Sequence, residues 1–130
     1  MINNENIKQF VTQTLGCACP EEVFQYIDCQ NNIKLNDDIL LHNKINIGNR
    51  LLIYVVEMNN PSFIKINLPL LIEKGKKERD SSGFNRFRLV VVTDRVEQIK
   101  QVADSVFKNL KDKDEKIHLH IIHKNEIALF

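Results

Sequence analysis

Two thiols one residue apart, in Gly16-Cys17-Ala18-Cys19-Pro20, are the residues whose type and spacing bear most directly on chemistry. Such a pair can chelate a soft metal through two sulfurs, zinc or iron being the expected ion, or close into a small disulfide that serves redox exchange. The spacing is neither the Cys-x-x-Cys of redox proteins nor half of a zinc ribbon. Two small apolar side chains packed at a junction between helices account for the pair equally well. A helix beginning at Pro20 places Cys19 at or beside its N-cap, where unpaired N–H groups favour a thiolate, although Glu21 and Glu22 oppose this. Cys29, the third cysteine, gains no such help, so at least one of Cys17 and Cys19, Cys19 foremost, is expected to be solvent-accessible and to alkylate faster than Cys29.

A second set of residues is cationic. Residues 73 to 88 hold six Lys or Arg against three acids, in a chain whose formal charge is only +1. Arg86 and Arg88 fall on one face at the start of a strand, and Arg79 can approach from the end of the preceding helix, so the three are candidates to fork around a phosphate or carboxylate. A solvated loop paired with Glu73, Glu78 and Asp80 is the alternative. His118 and His120 share a strand face while His123 falls on the other, so at most two can ligate together, and a polar sheet face explains them as well. Asp94 stands where open α/β sheets bind ligands, yet with Glu97 it also has the spacing of a capping box. At about 3.3 Å per strand residue, Arg86 and Asp94 lie roughly 25 Å apart, too far for one small-ligand pocket.

The string Leu15-Gly16-Cys17-Ala18-Cys19-Pro20-Glu21-Glu22-Val23-Phe24 resembles a signature of small uncharacterised proteins of archaea and anaerobic bacteria, for which no activity is established. The likeness extends to Glu78-Arg79-Asp80 and Gly83-Phe84-Asn85-Arg86-Phe87-Arg88. It draws attention to these positions and supplies no role for them.

The elements that must position these residues follow from periodicity. Ile7, Phe10, Val11, Thr14 and Leu15 have helical spacing, with Gly16 as a left-handed cap, and Pro20, Val23, Phe24 and Ile27 predict a second helix close behind. Ile33 to Ile47 predicts a hairpin, with Gly48-Asn49 turning the chain into the next strand. Leu51 to Val56 and Leu89 to Val92 are continuously apolar, as expected of strands covered on both faces and parallel in one sheet, with Val55 and Val91 inaccessible. Between them a helix opens at Pro61, which Pro69 should kink or restart. Val96, Ile99, Ala103, Val106, Phe107 and Leu110 form a helical stripe, Ile117 to Ile122 a further strand, and Ile127 and Leu129 a short last one. The fold class is α/β, with a mostly parallel central sheet from residue 51 and an N-terminal helix pair and hairpin added around it. A two-layer α+β sandwich is the alternative.

Composition bounds the function. With 130 residues and 43% hydrophobic content the chain is expected to form one domain over 1–130, and Lys+Arg 18 against Asp+Glu 17 argue against general nucleic-acid binding. An odd number of cysteines and an N-terminus without a basic patch and apolar run predict a cytoplasmic protein, and no apolar run is long enough for a membrane span. The partners left open are another protein or a second copy of the chain. No Gly-x-Gly-x-x-Gly, Walker lysine, nucleophile elbow or His-Glu-x-x-His occurs, so whether the chain is an enzyme is left open. Two functions stand: thiol-dependent metal handling or redox exchange through Cys17 and Cys19, and a non-catalytic module that recognises an anion or a protein partner.

Overall fold

Every strand lies beside its neighbour in sequence. The computed structural model describes residues 4–17, 19–111 and 113–126, and its sheet has the order β1 (Ile27–Lys34), β2 (Leu40–Ile47), β3 (Leu51–Glu57), β4 (Arg86–Thr93), β5 (Ile117–His123). The first two pairings are antiparallel and the last two parallel. The sheet is therefore mixed. The parallel arrangement expected from residue 51 holds from β3 to β5, but the hairpins join the same sheet, so it is not mostly parallel.

The hairpins are set by turn chemistry. Asn36 Oδ1 accepts from the N–H groups of Asp38 and Ile39, both at 2.8 Å, and Gly48 and Asn49 both have positive φ, the backbone of a type I′ turn. β3 and β4 run in register with Val55 opposite Val90, and Val55 and Val91 are fully buried, as their apolar runs require.

On one side of the sheet lie α2 (Pro61–Ser82) and α3 (Val96–Lys108). Leu52, Tyr54, Phe87, Leu89 and Val91 meet Ile64, Leu68, Leu71, Ile99 and Ala103 there. Pro69 does not restart α2, which is continuous over 22 residues. The missing hydrogen bond, a cost of about 3 kcal/mol, is offset by burial of the Ile64, Leu68, Leu71 and Ile72 face, each side chain contributing about 1.5–3 kcal/mol. Asp94 and Glu97 do not form a capping box: Arg95 is the N-cap of α3, without a side-chain cap bond. Thr93 Oγ1 instead accepts from the Arg95 N–H at 3.1 Å and donates to Asn59 Oδ1 at 2.8 Å, tying the ends of β3 and β4 together.

The other side is covered by the N-terminal segment. α1 (Asn4–Gln9) runs into a π-helical turn, Phe10–Thr14, and places Ile7, Phe10, Val11 and Leu15 on Ile45, Ile47, Ile53, Val55 and Val90. The expected second helix is a five-residue 3₁₀ turn, Glu21–Gln25, because Ile27 already belongs to β1 and too little chain remains for an amphipathic helix. Its N-cap is Pro20, not Cys19. Lys124–Glu126 forms a 3₁₀ turn, and the strand expected at Ile127 and Leu129 lies outside the described residues.

Candidate functional site

Leu15 ends the N-terminal helical segment, and Gly16, with φ +69°, turns the chain away. The Cys17 N–H donates to Val11 O at 3.0 Å, closing the helix end. Pro20 is extended, and the Val23 N–H returns to Pro20 O at 3.1 Å. The chain between these fixed ends brings Cys17 and Cys19 together as a disulfide, with Cα atoms 5.4 Å apart and both side chains half-buried. Five residues of 3₁₀ turn offer no helix dipole to Cys19, so the N-cap argument for its reactivity does not apply.

The disulfide forms one wall of a cavity of about 240 Å³ whose other walls are Pro20, Val23, Ile47, Arg50, Leu51, Asn85, Arg86 and Arg88. The thiol pair and two of the three candidate arginines thus share one pocket. Parallel register explains the meeting: Leu51 opposes Arg86, so the amino ends of β3 and β4 lie side by side. The Asn85 and Arg86 N–H groups fix them further by donating to Arg50 O at 2.8 and 3.1 Å. Among the described residues the pocket is therefore lined by three arginines and by no Asp or Glu.

Arg88 is 7% exposed. Its Nη1 donates to Leu15 O at 3.1 Å and lies 2.8 Å from His120 Nε2, while its Nε is buried with no partner among the described residues. No salt bridge to Arg88 exists among the described residues. A charge taken from water ordinarily needs a counter-charge, and burial, with Arg86 nearby, lowers the Arg88 pKa from its usual value. The same surroundings hold the neighbouring histidines neutral. His120 is pushed down to about 4 by burial, then by Arg88 and His118. His118, opposite Arg88 in the register, is lowered by burial and then by the arginines, and its Nε2 is buried without a partner.

Arg79 does not join this set. It lies across the sheet on α2, where its two Nη atoms grip Asp114 at 2.8 and 2.6 Å and its Nε donates to Asp80 at 3.0 Å. These contacts raise its pKa and pull Asp114 down to about 2. Cys29 is separate as well: it is buried on β1, its thiol raised by burial, with Asn43 Nδ2 donating to its sulfur at 3.6 Å. Asp94 is at the far end of β4 from Arg86, 3.9 Å from Lys124, and Lys124 also pairs with Glu57 at 2.8 Å. His123 pairs in register with Thr93, off the face of His118 and His120.

Zinc or iron does not fit the donor set. The two sulfurs are bonded to each other, and the groups converging on them are cations. Nor do three or more His, Cys, Asp or Glu gather to hold a metal elsewhere among the described residues. Arg50 is the site residue that periodicity does not reveal; its signal is its place after the Gly48-Asn49 turn, at the amino end of a strand parallel to the one bearing Arg86. No helix among the described residues is long and apolar enough to cross a membrane. No protein family, curated protein or solved structure matches the chain.

Proposed function

We propose that this is a cytoplasmic thiol–disulfide exchange protein whose working group is the Cys17–Cys19 pair. The observation that carries the reading is the disulfide itself, half-buried on the wall of an open cationic pocket. As a staple it has little to offer. Closing a three-residue loop removes only about 1.5 kcal/mol of unfolded-chain entropy, about half the value for a 15-residue loop, and it joins no two distant segments. As a reactive group it is well served, because the guanidinium groups around it favour the anionic sulfur that leaves when the S–S bond is broken.

Alkylation with mass mapping tests this. The folded, oxidised protein should show Cys17 and Cys19 blocked. Mild dithiothreitol should free both while Cys29 stays protected until the protein is unfolded, and a thiol–disulfide buffer should titrate the pair reversibly. Cysteines that remain thiols in an oxidising buffer, or a pair that reacts no faster than Cys29 once reduced, would sink the proposal.

A second reading, a non-catalytic module that recognises an anion, is favoured by Arg88, a buried cation without a carboxylate partner among the described residues. That module would bind its anion without any change in the cysteines.

A further inference from the structure

The geometry points to Arg88, assisted by Arg50 and Arg86, as the group that holds the carboxylate of the exchange partner, a low-mass anionic thiol. The inference rests on the exchange reading of Cys17 and Cys19 and adds the substrate class and the residues that select it.

Three observations carry it. Arg88, Cys17 and Cys19 line the same cavity, so an anion on Arg88 and a sulfur on the disulfide can belong to one small molecule. The Arg88 guanidinium is already oriented: Leu15 O and His120 Nε2 hold Nη1, and the Nε–H, closed to solvent, has no partner among the described residues, a donor that a side-on carboxylate would satisfy on entering beside it. The pocket wall offers no carboxylate to compete, since Arg79, the one arginine of the group with carboxylate partners, is on the opposite side of the sheet. Arg50 and Arg86 are exposed and add attraction at the entrance, where charge speeds encounter.

The bound thiol, as thiolate, attacks one sulfur of the Cys17–Cys19 bond. A mixed disulfide forms, the protein S–S bond breaks, and the departing cysteine leaves with the electron pair and takes a proton from water. A second molecule of the thiol attacks the mixed disulfide and releases the other cysteine. Two low-mass thiols are oxidised to their disulfide, and one protein disulfide is reduced to a dithiol. Arg88 also ties the anion site to the reactive loop, because Leu15, whose carbonyl it holds, lies two residues before Cys17.

The test compares 3-mercaptopropionate, 2-mercaptoethanol and cysteamine, which carry negative, no and positive charge. Each rate of reduction is divided by the rate for the oxidised peptide Gly-Cys-Ala-Cys-Pro, which removes intrinsic differences in nucleophilicity. The anionic thiol should be favoured over the neutral one by about tenfold at low salt, as expected for charge-assisted hydrogen bonds, with cysteamine disfavoured. The preference should shrink severalfold in R86Q and R50Q, whose exposed positions leave the core intact, and should collapse in R88Q. In a parallel titration with propionate, the Arg88 Nε–H proton resonance should shift saturably. Equal normalised rates for the three thiols would overturn the anion site and leave the exchange reading standing. A disulfide that none of the thiols reduces, with an Arg88 resonance that still responds to propionate, would overturn exchange and keep the carboxylate site; with no response, both fall.

Discussion

Arg79 and Arg88 are both buried arginines, and their surroundings give them opposite meanings. Arg79 is a closed ion pair, held in a bidentate grip by Asp114 and braced by Asp80. Substituting Asp114 with Asn should leave a buried guanidinium under-compensated and cost about 2 kcal/mol, between the values for exposed and for buried pairs because Asp114 itself is partly in water. Urea unfolding at neutral pH would measure it, and no loss would make the pair incidental. Since the Asp114 carboxyl is pulled down from the ordinary 3.8 to about 2, the pair's contribution is complete above about pH 4 and fades as the pH falls towards 2. Among the described residues Arg88 meets a carbonyl, a histidine nitrogen and a pocket, and no carboxylate. The types Arg86 and Arg88 were legible in the sequence as an anion candidate. The exchange of Arg79 for Arg50 was not, because it depends on which side of the sheet α2 occupies.

α2 packs on β4 unusually closely, and Gly75 is the reason. A Cβ there would overlap the Phe87 ring, whose centroid lies 4.9 Å from that of Tyr54 in an edge-on contact. Inside a helix, Gly→Ala ordinarily gains about 0.5–1 kcal/mol. Here G75A should lose about 2 kcal/mol through overpacking, since the ring it meets is fully buried, and thermal unfolding would read the sign directly. A gain would mean that α2 is free to shift. Beneath the ring, Tyr54 hydrogen-bonds Glu78, which also pairs with Lys44, so movement of α2 would disturb a polar group as well as a packed one. The strong apolar runs of β3 and β4 and the stripe of α3 made those elements readable. β1 was not, because its Ile-Asp-Cys-Gln-Asn-Asn-Ile-Lys sequence lies at the sheet edge with much of its surface in water, and an edge strand needs no apolar alternation. The segment after Pro20 misled for a related reason: Pro, two acids and an apolar pair signal a helix start, but the chain is needed in β1 before a second turn can form.

At the scale of the whole molecule, the two sides of the sheet treat buried charge differently: on the helical side Arg79 is paired with Asp114, while on the other an otherwise apolar layer contains Arg88, His118 and His120. That asymmetry should make stability depend on mild acid. His120 titrates near 4 in the folded chain and near 6.5 when exposed, so between those values the unfolded chain takes up the proton and the folded one does not. The contribution is fully present above about pH 6.5 and is lost as the pH falls towards 4. Urea midpoints at pH 7, 5.5 and 4.5 should fall in that order, and H120Q should flatten the series; an unchanged slope in H120Q would assign the acid sensitivity to other groups. The order of the strands has a different consequence, one of timing. Because spatial order equals sequence order, a chain emerging from the ribosome can add each strand to the one just completed, and none has to be inserted between two earlier ones. The N-terminal segment is an exception, since it packs on Val90 and its Leu15 carbonyl takes a hydrogen bond from Arg88, 73 positions away. Cys17 and Cys19 are therefore made long before β4 arrives to complete the pocket around them, and during synthesis they meet solvent oxidants and reductants with Arg86 and Arg88 not yet beside them.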